Sequence, residues 1–404
     1  MNSTASAGVK GPSKGLKVLY FNARSIVPKL DELQTLAEDE NPDVICITES
    51  WICSEISDAE ISIPSYLVYR HDRDRHGGGV LMYIKEHLQV KLLPPCPDLE
   101  ILTLSLYNGS NRVCLSLFYR PPSSSAQIFS QVCTYFDSFC ISEFSNFIFL
   151  GDFNVNIGNP NHPCYRSLFD MMSLYSLTQV VNENTHTHHS GTTSTIDLVL
   201  MSSPSQLIQC CTVPPLANSD HNGILLLTSW KATTVGSSYK RRKIWRYALA
   251  DWERACELIA DCDWDSLLSD DVNTSWLKWH QTFMSIMGQC IPQLSLPPRK
   301  NLPWMNKSLK QAMRRRNAQY KNGKRTGDFS KFRAARNRFV DLLRKSKKNY
   351  FAQLNPRDTK KFWKTIKSLN KTSQAVPTLS HNGVSTSEDM GKANMLNAFF
   401  STCF

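Results

Sequence analysis

Ser219-Asp220-His221, beside the apolar run Gly223–Thr228, and Gly151-Asp152-Phe153-Asn154, closing the run Asn146–Leu150, carry the side chains best suited to chemistry. Glu49 closes a third such segment, Asp43-Val44-Ile45-Cys46-Ile47-Thr48-Glu49. Carboxylates, an amide and an imidazole therefore stand at strand ends. A strand buries its apolar side chains, so polar groups at its ends tend to face a shared cleft. That mixture suits a divalent metal, an activated water and a phosphate ester. Each motif alone has a plainer reading. Gly-Asp-Phe-Asn can be a turn whose Asp and Asn satisfy backbone donors, an Asp-His pair is a common surface group, and a Glu ending a strand is ordinarily solvated. Their joint presence favours chemistry.

Positioning these groups takes strands. Short apolar stretches predict strands at Lys17–Phe21, Asp43–Thr48, Gly79–Ile84, Ile101–Leu106, Val113–Tyr119, Asn146–Leu150, Thr195–Met201 and Gly223–Thr228. Helical spacing falls at Lys29–Asp39, Ser125–Cys140 and Cys164–Tyr175. Strands outnumber helices and often follow one another directly, which argues for an α+β fold of two packed sheets flanked by helices. The boundaries expected are a disordered segment 1–15, a main domain 16–230, a basic linker 231–243 and a helical, Trp-rich connector 244–298. A basic αα-hairpin connector follows over 299–370, then 371–404.

The 404 residues, 41% of them hydrophobic, fit a globular protein of two or three domains. The formal charge of +11 conceals an asymmetry. Residues 16–230 hold 11 Lys and Arg against 22 Asp and Glu, a net of −11, whereas residues 299–367 hold 23 against 3, a net of +20. A single basic run is ordinarily a solvated helix face, but +20 over so short a stretch points to a polyanionic partner. The 13 cysteines are odd in number and include no Cys-x-x-Cys, so they read as small buried hydrophobes in a reducing compartment. The N-terminal residues carry no apolar run of the signal-peptide kind, and no apolar stretch reaches the ~18–20 residues of a membrane span. The expected location is nuclear or cytoplasmic, with no membrane partner.

In order along the chain stand Phe21-Asn22-Ala23-Arg24-Ser25, Glu49, Gly77-Gly78-Gly79-Val80 and Tyr119-Arg120-Pro121-Pro122. Gly151-Asp152-Phe153-Asn154, Asn184-Thr185-His186, Ile196-Asp197 and Ser219-Asp220-His221 follow. This series resembles the endonuclease/exonuclease/phosphatase family, the DNase I-like fold, and within it the endonuclease domain of LINE-type non-LTR retrotransposons. The resemblance spans residues 16–230. It implies a four-layered two-sheet β-sandwich followed by a mostly helical basic tail. It also implies a DNA endonuclease using Mg²⁺, with Mn²⁺ as a substitute, that nicks one strand and leaves a 3′-hydroxyl. The roles implied are metal binding for Glu49, Asn22 and Asp220; water activation for Asp152; and amide donation to a phosphate oxygen by Asn154. His221 would donate to the scissile phosphate, with Asp197 orienting its ring. Tyr119 is either a phosphate donor or a core aromatic with a satisfied hydroxyl. Thr185 is expected on the DNA backbone, and Arg24 among the nucleic-acid-binding residues.

Two positions depart from the abasic-site enzymes of the wider family: Arg24 stands where they carry Asp, and Pro122 where they carry Asn. LINE-type sequences share both, which argues for the subgroup. Gly77-Gly78-Gly79 suits a hairpin turn better than a phosphate cradle, and His186, His188 and His189 are expected to line the cleft. Pro303-Trp304-Met305-Asn306, Arg314-Arg315-Arg316 and Phe362–Lys367 resemble the connector that follows the LINE endonuclease, and the last residues resemble the start of a reverse transcriptase. No Tyr/Phe-x-Asp-Asp polymerase motif occurs, so a truncated element copy is expected. Arg314, Arg315 and Arg316 are expected to hold nucleic acid, either DNA or the element's RNA. The rival expectations are a catalytically inactive nucleic-acid-binding protein of retroelement origin and another phosphoesterase of the same fold.

Overall fold

The computed structural model describes residues 15–139, 143–188, 190–233, 243–269, 271–295 and 302–353, then Trp363, 379–381, 384–386 and 389–401. Expectations for residues 1–14, Cys140, His189, most of the linker and the Phe362–Lys367 motif other than Trp363 lie outside the described residues. The chain divides into two compact units, Met1–Val235 with Asn301–Phe404, and Gly236–Lys300.

The first unit is built on two six-stranded sheets. In chain order the strands are β1 (Lys17–Asn22), β2 (Val44–Thr48), β3 (Tyr66–His71), β4 (Val80–Lys85), β5 (Val90–Leu92), β6 (Glu100–Asn108) and β7 (Asn111–Tyr119). Then come β8 (Asn146–Asp152), β9 (Thr178–Gln179), β10 (His186–Thr187), β11 (Thr193–Ser194), β12 (Asp197–Met201), β13 (Leu207–Val213) and β14 (Gly223–Thr228). One sheet has the order β13-β14-β1-β2-β4-β3 and the other β5-β6-β7-β8-β12-β9. Side chains alternate between faces with period two. Val18 and Tyr20 of β1, Val44 and Cys46 of β2, Leu115 and Leu117 of β7, and Ile148 and Leu150 of β8 share one buried cluster between the sheets. The alternate residues, Leu19, Phe21, Ile45 and Ile47, form a second core on the outside of the first sheet. Phe118, Phe147, Phe149, Leu198 and Leu200 form a third outside the second sheet.

Helices cover both outer faces. On the first sheet lies α1 (Leu30–Glu40), which buries Leu33, Leu36 and Ala37 at helical spacing and ends at Asn41 in the left-handed region. Over the second lie α2 (Ile128–Asp137) and α3 (Tyr165–Leu174), burying Phe129, Val132, Phe136, Leu168 and Met171. The result is the expected sandwich of two sheets between helical layers. Besides the two-residue strands β9, β10 and β11, three strands escape the sequence pattern: β3, β5 and β13. All are edge strands, paired on one side and half exposed, so their apolar periodicity is weak and the neighbour decides the pairing. The expected strand Thr195–Met201 starts only at Asp197, because the Thr185 hydroxyl takes the Ile196 and Asp197 amides at 3.2 and 3.1 Å.

The basic residues beyond 301 form a helical hairpin, α6 (Lys307–Thr326) and α7 (Ser330–Ala352). Asn306 caps the first helix by accepting the Leu309 amide, and Gly327, at φ +78°, ends it in the left-handed conformation. Leu302, Trp304, Met305, Leu309, Met313, Phe339 and Leu343 join the core outside the first sheet. Each such side chain contributes about 1.5–3 kcal/mol over its exposed state. The hairpin is therefore part of the body of this unit. Among the described residues no helix is long and apolar enough to cross a membrane.

In the second unit α4 (Trp252–Ala260) and α5 (Val272–Cys290) lie beside a two-stranded ribbon, Lys243–Trp245 with Gln293–Ser295. Trp276, Trp279 and Phe283 stack in succession along α5, with centroids 5.4 and 5.1 Å apart.

Candidate active site

The alternation that fills the sandwich turns polar at one end. Inward positions on β1 run Val18, Tyr20, Asn22; on β2 Val44, Cys46, Thr48; on β8 Ile148, Leu150, Asp152; and on β12 Met201, Val199, Asp197. Register then sets them side by side. Asn22 lies opposite Thr48, and Asp152 lies opposite Tyr119 on one side and Asp197 on the other. Gly151 permits the approach: at φ +148°, a Cβ there would lie 1.8 Å from the Phe118 carbonyl oxygen.

Hydrogen bonds tie this row together. The Asn22 amide donates to Asp152 Oδ2 at 2.9 Å, and the Asn154 backbone amide donates to Asp152 Oδ1 at 2.9 Å. Asp197 bonds His221 Nδ1 through Oδ2 at 2.8 Å and accepts the Tyr20 hydroxyl on Oδ1 at 2.6 Å. Tyr20 also lies 2.8 Å from the Thr48 hydroxyl. Asn22, Asp152, Asp197 and His221 are all buried. Burial, then the charge of Asp197, raises the Asp152 carboxyl above its ordinary range. Burial alone would lower His221, but the charge and hydrogen bond of Asp197, with further help from Asp152 and Asp220, raise it to about 9. Two acids facing each other across a ladder are unfavourable for folding; here the Asn22 amide bonds one and the His221 imidazole the other.

Glu49 stands at the mouth, half buried, with φ +49°, and Trp51 two residues on has φ +54°. Such conformations cost of order 1–3 kcal/mol and persist where surroundings enforce them. The enforcing contacts are the Ser50 and Trp51 amides donating to the Gly79 and Gly78 carbonyls, and the Trp51 indole donating to Glu49 at 3.3 Å. The glycine triplet thus props the Glu49 loop. Tyr119 is buried, and burial followed by the charge of Glu49 keeps its hydroxyl protonated.

Asp220 is half buried and pairs with Arg24 Nη1 at 2.6 Å and with His186 Nε2 at 3.4 Å. Burial would raise its carboxyl, but His186, His221 and Arg24 outweigh burial and hold it well below the usual carboxylate range. Arg24 thus meets a carboxylate 196 residues further along the chain, brought beside it by the pairing of β1 with β14. His188 approaches the Ser194 hydroxyl at 3.4 Å beside His186. Among the described residues two groups bring three ligating atoms within 4.8 Å of one another: His186, Asp220 and His221; and Asp152, Asp197 and His221. Asp220 Oδ1 is buried and has no hydrogen-bond partner. Around this oxygen stand two imidazoles, and the second group sets two carboxylates beside His221; carboxylate oxygens, one of them unpartnered, suit a divalent cation, and Glu49 belongs to neither group.

Some expected positions fall elsewhere. Asn154 does not continue an extended segment: at φ +48° the chain turns, and its side-chain amide donates to the Arg120 carbonyl at 2.7 Å. Thr185 is not on the surface for a DNA backbone. It is fully buried, its hydroxyl engaged with the two amides that start β12. Arg316 is likewise removed from nucleic acid: it is buried against Glu32 at 2.6 Å, over the Phe339 ring. Arg314 and Arg315 remain exposed. Tyr20 and Thr48 went unread in the sequence because each occupies an inward position that the strand pattern assigns to the core.

Residues 113–225 match the endonuclease-reverse transcriptase family. The stretch runs from β7 into β14 and holds Tyr119, Asp152, Asn154, Asp197, Asp220 and His221, while Asn22 and Glu49 precede it. Similar solved structures include the endonuclease domain of TRAS1, a telomere-specific non-LTR retrotransposon. It is 14% identical, with 53% of this chain and 98% of that chain covered and a TM-score of 0.44. An AP endonuclease from Archaeoglobus fulgidus is 19% identical over 53% and 99% of the two chains, with a TM-score of 0.44. A 3′-5′ exonuclease from Neisseria meningitidis is 18% identical over 53% and 100%, again at 0.44. No curated protein matches the chain.

Proposed function

We propose that the chain is a Mg²⁺-dependent DNA endonuclease that nicks one strand and leaves a 3′-hydroxyl, the step that primes copying in LINE-type retrotransposition. The observation that carries the reading is the facing pair Asp152 and Asp197, buried in register on β8 and β12, one held by Asn22 and the other by His221 and Tyr20. A buried pair of acids this costly to fold, one of them raised by the other, is expected where chemistry uses it. The family match over residues 113–225 supports nuclease chemistry at this row.

Glu49, Asn22 and Asp220 would hold the metal ion, with Mn²⁺ as a substitute. Bound there, the ion would neutralise phosphate charge and favour ionisation of water. Asp152, its basicity raised by burial and by Asp197, takes the proton from the attacking water as the oxygen bonds to phosphorus. The P–O3′ bond breaks, leaving a 5′-phosphate and, once O3′ is protonated, a 3′-hydroxyl. His221, charged at neutral pH, donates to a phosphate oxygen, and Asp197 fixes its ring with Nδ1 inward. Tyr20 holds the far oxygen of Asp197, so the acid cannot swing away. Tyr119, protonated beside Glu49, would donate a further hydrogen bond.

The test is relaxation of supercoiled plasmid in Mg²⁺ by the full chain and by Asp152→Ala and His221→Ala. Relaxation by the parent, lowered at least ~10²-fold in either variant, is expected. No relaxation with salt-sensitive DNA binding intact would favour an inactive nucleic-acid-binding protein. Hydrolysis of a phosphomonoester or phospholipid in place of DNA would favour another phosphoesterase of this fold.

A further inference from the structure

The segment that carries Asp220 and His221 is held by the helical hairpin. Ala217, three residues before Asp220 and itself at φ +51°, accepts from Arg336 Nη1 of α7 at 3.5 Å. Its backbone amide also bonds Glu32, the buried partner of Arg316 on α6. Beside this segment runs a groove of about 680 Å³ whose lining includes Ala217, Asn218, Arg336, Arg338, Asp341 and Arg344. Asp341 is matched by Lys345 at 3.2 Å. Among the described residues no carboxylate lies within ion-pair distance of Arg336, Arg338 or Arg344. Arg338 also lines a second groove, of about 240 Å³, with Arg315 and Lys331. A row of guanidinium groups without an acidic partner among the described residues thus leads from the catalytic segment along α7. Arg336 is tied to Ala217 and Asn337 and is followed by Arg338 and Arg344.

We propose that this α7 groove binds the phosphate backbone of the duplex DNA that flanks the nick. Charge complementarity selects the occupant. Residues 16–230 carry a net of −11 and repel a polyanion, whereas α7 offers several cations next to the cleft. Guanidinium groups take phosphate oxygens bidentately. Continuity sets the direction, since exposed Asn218 lies two residues from Asp220 and in the groove wall. The contacts carry no base information and would fix the register of the duplex over the cleft. The inference rests on the nuclease reading only for the choice of DNA as the polyanion.

The experiment uses the full chain carrying Asp152→Asn, which keeps the duplex whole, and a fluorescent duplex of about 30 base pairs, long enough for several phosphate contacts. Anisotropy is read over a range of salt. Arg338→Gln with Arg344→Gln is expected to weaken binding ~10-fold or more at low salt and to flatten the log–log salt slope by about 2 units. Among the described residues neither makes a side-chain hydrogen bond or ion pair, so the pair tests the groove even if adding Arg336→Gln disturbs Ala217. A control removes charge from three exposed lysines that line neither groove, Lys91, Lys307 and Lys348, and is expected to change the slope less. A groove variant that binds DNA like the parent or like the control overturns the proposal. So does one that loses a structured RNA while keeping DNA. Cutting is measured separately with native Asp152: a chain that never cuts, yet loses duplex affinity in the groove variant, defeats the nuclease reading and leaves the groove standing.

Discussion

Asp152 and Asp197 decide what this site costs the fold. Facing each other in register and buried, they place two acids where a strand pair would ordinarily place Val or Ile, and burial with the charge of Asp197 raises Asp152 above the ordinary carboxylate range. His221 offsets part of that cost, and its titration has a definite sign. Its folded value of about 9 lies above the ordinary 6.5, so the folded state binds the proton more tightly than the unfolded state. The stability it supplies is complete below pH 6.5 and is lost as pH rises through about 9. By NMR, the His221 ring is expected to titrate near 9, and in Asp197→Asn at or below its ordinary value, because burial then acts without its strongest opponent. An unmoved midpoint in that variant would show that the Asp197 contact is not the cause. Thr185 shows the opposite relation between type and role: a hydroxyl read as a DNA contact instead starts a strand, placing the Asp197 carboxylate by taking its amide.

At the scale of elements, α6 is fastened by charge buried inside an apolar contact. Arg316 and Glu32 are 2.6 Å apart and almost wholly enclosed. Burial raises Glu32 and lowers Arg316, each opposed most strongly by its partner's charge. Removing one partner strands the other in a low dielectric, so Arg316→Met is expected to cost about 3–5 kcal/mol in urea unfolding. Adding Glu32→Leu should return most of that loss, because two apolar side chains need no pairing. A double variant as unstable as the single one would mean that lost packing, not stranded charge, sets the cost. The sequence suggested this hairpin from helical spacing, yet Arg316 shares its run with exposed Arg314 and Arg315. Spacing alone does not say which of three adjacent arginines turns inward.

For the whole of the first unit, the hairpin covers a face of the sandwich that sequence reading left uncovered. Trp304, Met305, Leu309, Met313 and Phe339 share one core with Leu19, Phe21 and Ile47. A chain ending at Val235 would expose that face to water. It is expected to melt at lower temperature than the full chain and to bind a hydrophobic dye that the full chain does not bind. Equal melting temperatures with no dye binding would show that the sandwich stands without its cover. The charge asymmetry is settled on the same scale. Some of the +20 is spent on acidic partners within the unit, as Arg316 on Glu32, Lys324 on Glu183 and Lys347 on Asp31. Of the cations left over, Arg336, Arg338 and Arg344 line the groove beside Asn218.

Local pattern determined the two-sheet sandwich, the central strands and the identity of the polar groups at their ends. Period-two burial is written residue by residue, and a charged side chain at the end of an apolar strand breaks that pattern visibly. Edge strands were not legible, because half-exposed backbone needs a neighbour to define it. Nor were the inward turn of Arg316, the capture of Thr185 or the service of Tyr20 to Asp197. Each depends on which atoms from distant segments arrive within hydrogen-bond reach: Glu32 lies 284 residues from Arg316, and Asp197 lies 177 from Tyr20. Residue type limits what a side chain can do, but its partner fixes what it does, and only the packed chain supplies the partner.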